Sequence, residues 1–216
     1  MEQFRELYIK VDKDHTKEFI DAVEAALTGG WTRTVNAEEE ARKHGGFLDG
    51  ELLYCNCDDR RGREPVMVAI HRKDAETLYV SNVVPLKNWE LSHAQYNGAL
   101  QDFHDNILSK LKAKFPITFM LGSDELRIER MMSPEAFKLL RQFSGAANKS
   151  TGSSHPSDQQ RWFAFLVTLS RTKHHLDVTS LFRWLTEAEK WPEKAASQLT
   201  AEFEFAIELL KYATRK

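Results

Sequence analysis

Three runs of the chain, Glu51 to Cys57, Pro65 to His71 and Thr77 to Val84, are rich in apolar, β-branched and aromatic residues, and only Asp58 to Glu64 and Arg72 to Glu76 separate them. Strands divided by gaps this short and polar join as hairpins, so this stretch reads as an antiparallel meander. Ahead of it, Phe4, Leu7, Ile9 and Val11 alternate with Arg5, Glu6 and Lys10 as in a half-buried strand. Behind it, Phe115 to Leu121 supplies a further strand, bounded by Gly122-Ser123-Asp124. Helices fall between these strands. Asp14 is the expected N-cap of one in which Phe19, Ile20, Val23, Ala26 and Leu27 keep helical spacing until Gly29-Gly30. A short polar helix is expected over Ala37 to Lys43. Ser92 and Gln95 form a capping box ahead of a long helix, His93 to Ala113, with Tyr96, Leu100, Phe103, Ile107 and Leu111 as its apolar stripe.

Beyond about residue 130 the pattern is helical throughout. Ser133-Pro134 is a helix start, with an N-cap followed by Pro at the first helical position. Ser157 and Gln160 suggest a second capping box, before a helix with Trp162, Phe165, Leu166 and Leu169 inward. Asp177 caps a third helix, and Pro192 opens a last one in which Leu199, Phe203, Ile207 and Leu210 keep the period. No internal repeat is found. The expected fold class is α+β: an antiparallel sheet with packed helices over residues 1–130, and an all-helical part, residues 131–216, packed on it or continuous with it in one domain.

Composition narrows the function classes. The chain has 216 residues, 42% apolar and 29% charged, with 30 Lys plus Arg against 32 Asp plus Glu. A net charge of −2 argues against a general nucleic-acid or membrane-surface binder, which carries a clear basic excess. Met1 to Val11 contains Glu2, Arg5, Glu6 and Lys10 and so lacks the apolar region of a signal peptide. No run approaches the roughly 18 apolar residues of a membrane helix, so a cytoplasmic protein with no membrane partner is expected. Cys55 and Cys57 lie on one face of a strand, near the limit of disulfide reach at about 7 Å between Cα atoms. They are expected to be reduced packing residues, since a structural zinc site needs four ligands and no second Cys pair exists. There is no G-x-G-x-x-G and no G-x-S-x-G elbow; no cofactor is expected and no catalytic residue is identified.

The segment Gly145 to Pro156 (GAANKSTGSSHP) concentrates small polar residues. Asn148, Lys149, Ser150, Thr151, Ser153, Ser154 and His155 gather just before a helix N-terminus, whose unpaired N–H groups and dipole favour a phosphate. Arg161 adds a bidentate donor from the first turn. The loop is no P-loop, because Phe143 and Asn148 stand where Gly is required and a helix precedes it. The plainer alternative is a surface connection in which Ser and Thr cap turns.

A second group, His93, Asn97 and His104, projects within roughly 40° on the long helix, inside the arc of Leu100, Ile107 and Leu111, facing the core or a cleft. The two histidines lie about 16 Å apart along the axis, so no single metal takes both. His174-His175 with Asp177 lacks further ligands, and no metal site is expected. Arg60, Arg61 and Arg63 make one hairpin loop locally basic, though Asp58, Asp59 and Glu64 nearly cancel them; nucleic-acid contact there would be to phosphates. The helical tail is a poor helix-turn-helix, because Glu193, Glu202, Glu204 and Glu208 occupy the prospective recognition helix. Trp162, Trp184, Trp191, Phe203 and Phe205 offer more aromatic area than a small helical unit readily hides, so some of it is expected to pack on the N-terminal sheet and some to form an interface.

The leading expectation is a cytoplasmic interaction or regulatory protein without its own catalysis: an inhibitor, antitoxin-like neutraliser or complex subunit, meeting a protein partner or a second copy through this aromatic surface. The alternative is a phosphate-recognising enzyme or nucleotide sensor using residues 145–161, and a third reading is a nucleic-acid processing protein.

Overall fold

The computed structural model of the chain describes residues 1–45, 52–58, 63–113, 115 and 117–214. It divides into two compact units, residues 2–124 and residues 125–216 with Met1, each with its own hydrophobic core. The fold class is α+β, with an antiparallel sheet in the first unit and helices in the second.

In the first unit the order is β1 (Leu7–Lys10), a 3-10 turn (Lys13–His15), α1 (Thr16–Ala26), β2 (Trp31–Arg33), α2 (Val35–Gly45), β3 (Leu52–Cys57), β4 (Val66–Asp74), β5 (Thr77–Pro85), α3 (His93–Phe103), a π-helical turn (His104–Leu108), α4 (Ser109–Leu111) and β6 (Thr118–Leu121). The three apolar runs become β3, β4 and β5 of a six-stranded sheet ordered β2-β3-β4-β5-β1-β6, antiparallel at every pairing. β1 is inserted between β5 and β6, which is why both Leu7 and Ile9 are fully buried. One sheet face, with Leu53, Cys55, Val68, Ile70 and Leu78, packs on Phe19 and Val23 of α1 and on Leu100, Phe103, Ile107 and Leu111. Cys55 and Cys57 are buried thiols on that face.

Three local expectations are corrected. α1 begins after His15, because Asp12 accepts the Asp14 N–H at 2.9 Å and opens a 3-10 turn first. The long helix is not regular to Ala113: Ser109 N–H reaches back to the His104 carbonyl and makes a π-turn. α2 is longer than its polar sequence suggested. Its Glu38 is fully buried and accepts Arg33 Nε at 3.0 Å and Nη2 at 2.9 Å, Arg42 at 3.3 Å and the Tyr54 N–H at 3.0 Å. A buried carboxylate persists only when it is paired and hydrogen-bonded, and this one ties α2 to β2 and β3. Gly29 and Gly30, at φ of 67° and 97°, make the turn into β2 in a region that L side chains rarely enter.

The second unit contains a 3-10 turn (Ile128–Arg130), α5 (Pro134–Ala146), α6 (Pro156–Ser170), α7 (Val178–Arg183), a π-turn (Trp184–Ala188) and α8 (Glu193–Thr214). Ser133 and Asp177 cap α5 and α7, accepting the N–H groups of Ala136 at 3.2 Å and Ser180 at 2.8 Å. α6 starts earlier than the expected box at Ser157 and Gln160. Pro156 has no N–H to satisfy and its fixed φ suits the first helical position, so His155 becomes the N-cap.

The aromatic residues are also corrected. Trp162, Trp184, Trp191 and Phe203 belong to this unit's own core, where Phe143 lies between Trp162, tilted against it at 4.9 Å, and Trp191, stacked on it at 5.5 Å. Of the five aromatics expected to exceed what the unit can hide, only Phe205 points outward, at 70% exposure. Among the described residues no helix is long and apolar enough to cross a membrane.

Replacing Glu38 by Ala leaves Arg33 with a partner on one side only. The expected cost is about 3 kcal/mol, the scale of a broken buried pair. It is read as a lower urea midpoint, and an unchanged midpoint would show that the network carries no stability.

Candidate functional site

The loop before α6 is tied largely to its own atoms. Asn148 Oδ1 accepts the N–H and the hydroxyl of Ser150, at 3.0 and 2.7 Å, and the Asn148 carbonyl accepts the N–H groups of Thr151 and Gly152. Gly152, at φ 64°, lets the chain reverse there. Ser153 is buried and donates to Glu202 at 2.8 Å. Lys149 donates to the Glu189 carbonyl and lies 6.0 Å from the Trp191 ring. His155 Nδ1 accepts the Ser157 N–H at 3.3 Å, while Ser154 is exposed. Asp158, buried in the first turn of α6, places a carboxylate at the positive end of the dipole and binds Arg161 at 2.7 Å. Arg161 and Ser157 border a shallow groove between α5 and α6, with Leu139, Gln142, Gln160 and Ala164.

The α3 group does not converge either. His93 packs on the Phe4 ring at 4.3 Å, with Glu2 3.6 Å away. Asn97 accepts the Arg5 N–H at 2.8 Å and donates to the Gln3 carbonyl at 2.8 Å, fastening the N-terminal segment to the helix. His104 bonds Asp105 at 2.7 Å and meets Phe119 edge-on. All three are partly buried. Asp177 is a helix cap, and His174 is held below the usual imidazole range by burial and then by Lys211 and His175. Among the described residues no cluster of three or more His, Cys, Asp or Glu could hold a metal ion. Arg60 and Arg61 lie outside the described residues. Arg63 is described, and its guanidinium pairs with Asp102.

That pair belongs to a cleft of about 270 Å³ on another flank of α3. Ala94, Gln95, Gly98, Ala99 and Asp102 form its helical wall; Trp31, Cys57 and Val66 come from β2, β3 and β4, and Arg63 and Glu64 from the chain entering β4. Asp102 accepts the Trp31 indole N–H at 2.9 Å on one oxygen, and Arg63 together with Asn106 at 2.9 Å on the other. Burial alone would raise this carboxyl, but the bonds from Arg63 and Trp31 outweigh it and hold Asp102 below the usual carboxylate range. Arg63 is held above its own usual range by the same bond.

Glu64 differs. Its Oε1 is buried and has no hydrogen-bond partner among the described residues. Gly98 faces open space, since a Cβ there would meet nothing within 4 Å. No linear motif marks this site, because its polar groups come from distant parts of the chain. The visible trace was the i, i+4, i+8 series Ala94, Gly98, Asp102, a small-residue helix face ending in a carboxylate.

Residues 135–208 match a family model described as a domain of unknown function, DUF1889. The matched segment runs from the first turn of α5 into α8, within the helical unit. Nothing among the curated proteins or the solved structures compared with the chain matches it.

The Asp102 geometry sets a pH dependence. A carboxyl with a lowered folded pKa contributes stability that is fully present above its unfolded pKa of about 3.9 and is lost as pH falls through the folded value. Parent protein is therefore expected to exceed Asp102→Asn by on the order of 2 kcal/mol at pH 6. The gap should narrow below about pH 4 in urea titrations. A gap independent of pH would assign the loss to packing.

Proposed function

We propose that the chain is a regulatory binding protein acting without catalysis of its own, and that its α+β unit takes a small ligand into the cleft beside α3. The observation that carries this reading is Gly98. Gly in a helix interior costs about 1 kcal/mol relative to Ala, and no neighbour here requires the missing side chain. The space it leaves is cleft, with Trp31 and Val66 among the lining residues and the polar groups of Arg63, Glu64 and Gln95 around it. A mostly preformed concavity with a few convergent polar groups is the usual form of a ligand site.

Binding is better supported than chemistry. Both Asp102 oxygens are engaged, and no histidine stands among the described lining residues. The neighbouring Cys55 thiol is pushed up to about 12, by burial first and then by Glu38. The phosphate reading of the loop has less support, because Lys149, Ser153 and Arg161 each bond another residue of the helical unit.

Gly98→Ala is expected to raise stability by about 0.5–1 kcal/mol in urea denaturation. Gly98→Leu should fold and fill the cleft. Fragments of about ten heavy atoms that move the Trp31 indole N–H signal in the parent should then lose that effect. A destabilised Gly98→Ala, or fragment binding indifferent to Gly98→Leu, would sink the reading.

A second observation favours protein association. Phe205, Leu209 and Tyr212 are 70%, 53% and 62% exposed, and their spacing places them on one face of α8. Such a stripe is self-complementary when two helices pack antiparallel, so a second copy of the chain is the proposed occupant. Sedimentation equilibrium should show a concentration-dependent dimer that Leu209→Glu dissociates. A monomer at every concentration would remove this second reading.

A further inference from the structure

Resting on the cleft reading, we infer that the cleft beside α3 also receives the Trp89 indole of a second copy of the chain, so that ligand and second copy compete for one site. Trp89 is 100% exposed, the most exposed large apolar side chain among the described residues, with Phe205 next at 70%. It stands in the middle of the loop between β5 and α3, where Leu86, Lys87, Asn88 and Glu90 are exposed as well. Both ends of that loop are anchored. The Leu86 N–H donates to the Pro65 carbonyl at 2.9 Å, and the Ser92 capping box fixes the first turn of α3. The indole is therefore a knob on a tethered loop, and its full exposure means that it does not enter the cleft of its own chain. Tryptophans dominate association when they find a pocket on the partner.

A pocket of the right size lies in the same unit. The cleft holds about 270 Å³. A cavity of about 150 Å³ takes a benzene, so this one admits a bicyclic ring. Its helical wall carries only short side chains at Ala94, Gly98 and Ala99, and a Cβ on Gly98 would meet nothing within 4 Å. Val66 and Trp31 line it as well, and Trp31 is fixed by its bond to Asp102 at 2.9 Å. Because Ala94 and Gly98 are exposed, the cleft opens to solvent, and an entering indole keeps its N–H at the wet mouth while its rings are covered.

Knob and cleft are neighbours in the chain. Trp89 precedes Ala94, the first residue of the helical wall, by five positions. A two-fold axis beside the start of α3 brings each indole to the other copy's cleft, and the contact closes as an isologous pair. Two indoles bury about 150–250 Å² each and cover a similar area of wall, roughly 600–1,000 Å² in all. That total lies below the about 1,200 Å² of a stable complex and within the range of transient contacts. A pair this weak is released by a small ligand, which makes the cleft a ligand-gated association site.

The exchange is tested in the full chain carrying Leu209→Glu, which removes the α8 contact. ¹⁵N-labelled Trp89→Ser keeps the cleft and lacks the knob, and it folds because the replaced ring is fully exposed. Unlabelled chain with Trp89 is expected to shift its Gly98 and Ala99 amide signals with a dissociation constant on the order of 1 mM, at least about tenfold tighter than unlabelled Trp89→Ser. Free indole should move the same signals and displace the Trp89 chain. Equal shifts from both unlabelled chains overturn the exchange. Indole or fragments moving the Gly98 signal while the Trp89 chain does not also overturns it, and leaves the cleft reading standing. If no chain, indole or fragment moves that signal, the cleft reading falls and the exchange falls with it.

Discussion

Two carboxylates that must find donors organise the first unit, and both converge on β2. This strand has three residues and lies at the sheet edge, too short to be held by its ladder alone. Its first residue is secured by the indole bond from Trp31 to Asp102 of α3, and its last by the Arg33 fork on Glu38 of α2. Arg33 also reaches Glu24 of α1 at 2.7 Å. The edge strand is thus fixed by side chains from three helices. Trp31, held in this way, forms part of the cleft wall beside α3.

The helical unit follows the same logic around a buried hydroxyl. The buried Ser144 hydroxyl accepts the Trp191 indole N–H and donates to Glu189, both at 2.8 Å, and Lys149 caps the Glu189 carbonyl. The end of α5, the loop after it and the turn before α8 are therefore one polar knot beside the packed rings of Phe143, Trp162 and Trp191. Lys149 has a structural post at that knot. A loop composition that suggests anion binding can equally be a hydrogen-bonding composition, and the tertiary neighbours determine which use is made of it.

Much of the fold was legible in the chain. The meander of β3, β4 and β5, the capping box at Ser92, the caps at Ser133 and Asp177 and the buried thiols rest on local rules: alternation, short polar gaps, side-chain oxygens near free N–H groups. The errors fall where a distant partner intervenes. Glu38 is one of several charges in a helix whose sequence is polar, and its burial depends on Arg33 and Tyr54 surrounding it. The tryptophans read as excess surface until Phe143 supplied their packing partner. Of the cleft residues, Arg63 and Glu64 read from sequence as a mixed-charge hairpin tip, Cys57 as a packing thiol and Gln95 as part of a helix cap, and no local rule joins them.

The sequence by itself determined the class of architecture, because periodicity and capping are set within a few residues of each position. It also determined the near-neutral charge that disfavours a general polyanion binder. Tertiary structure alone decided which charges are paired. Arg63 meets Asp102 and Arg33 meets Glu38, because the strand order and the seating of α2 and α3 bring these groups together. No spacing rule carries that information, since desolvation and pairing depend on neighbours in space.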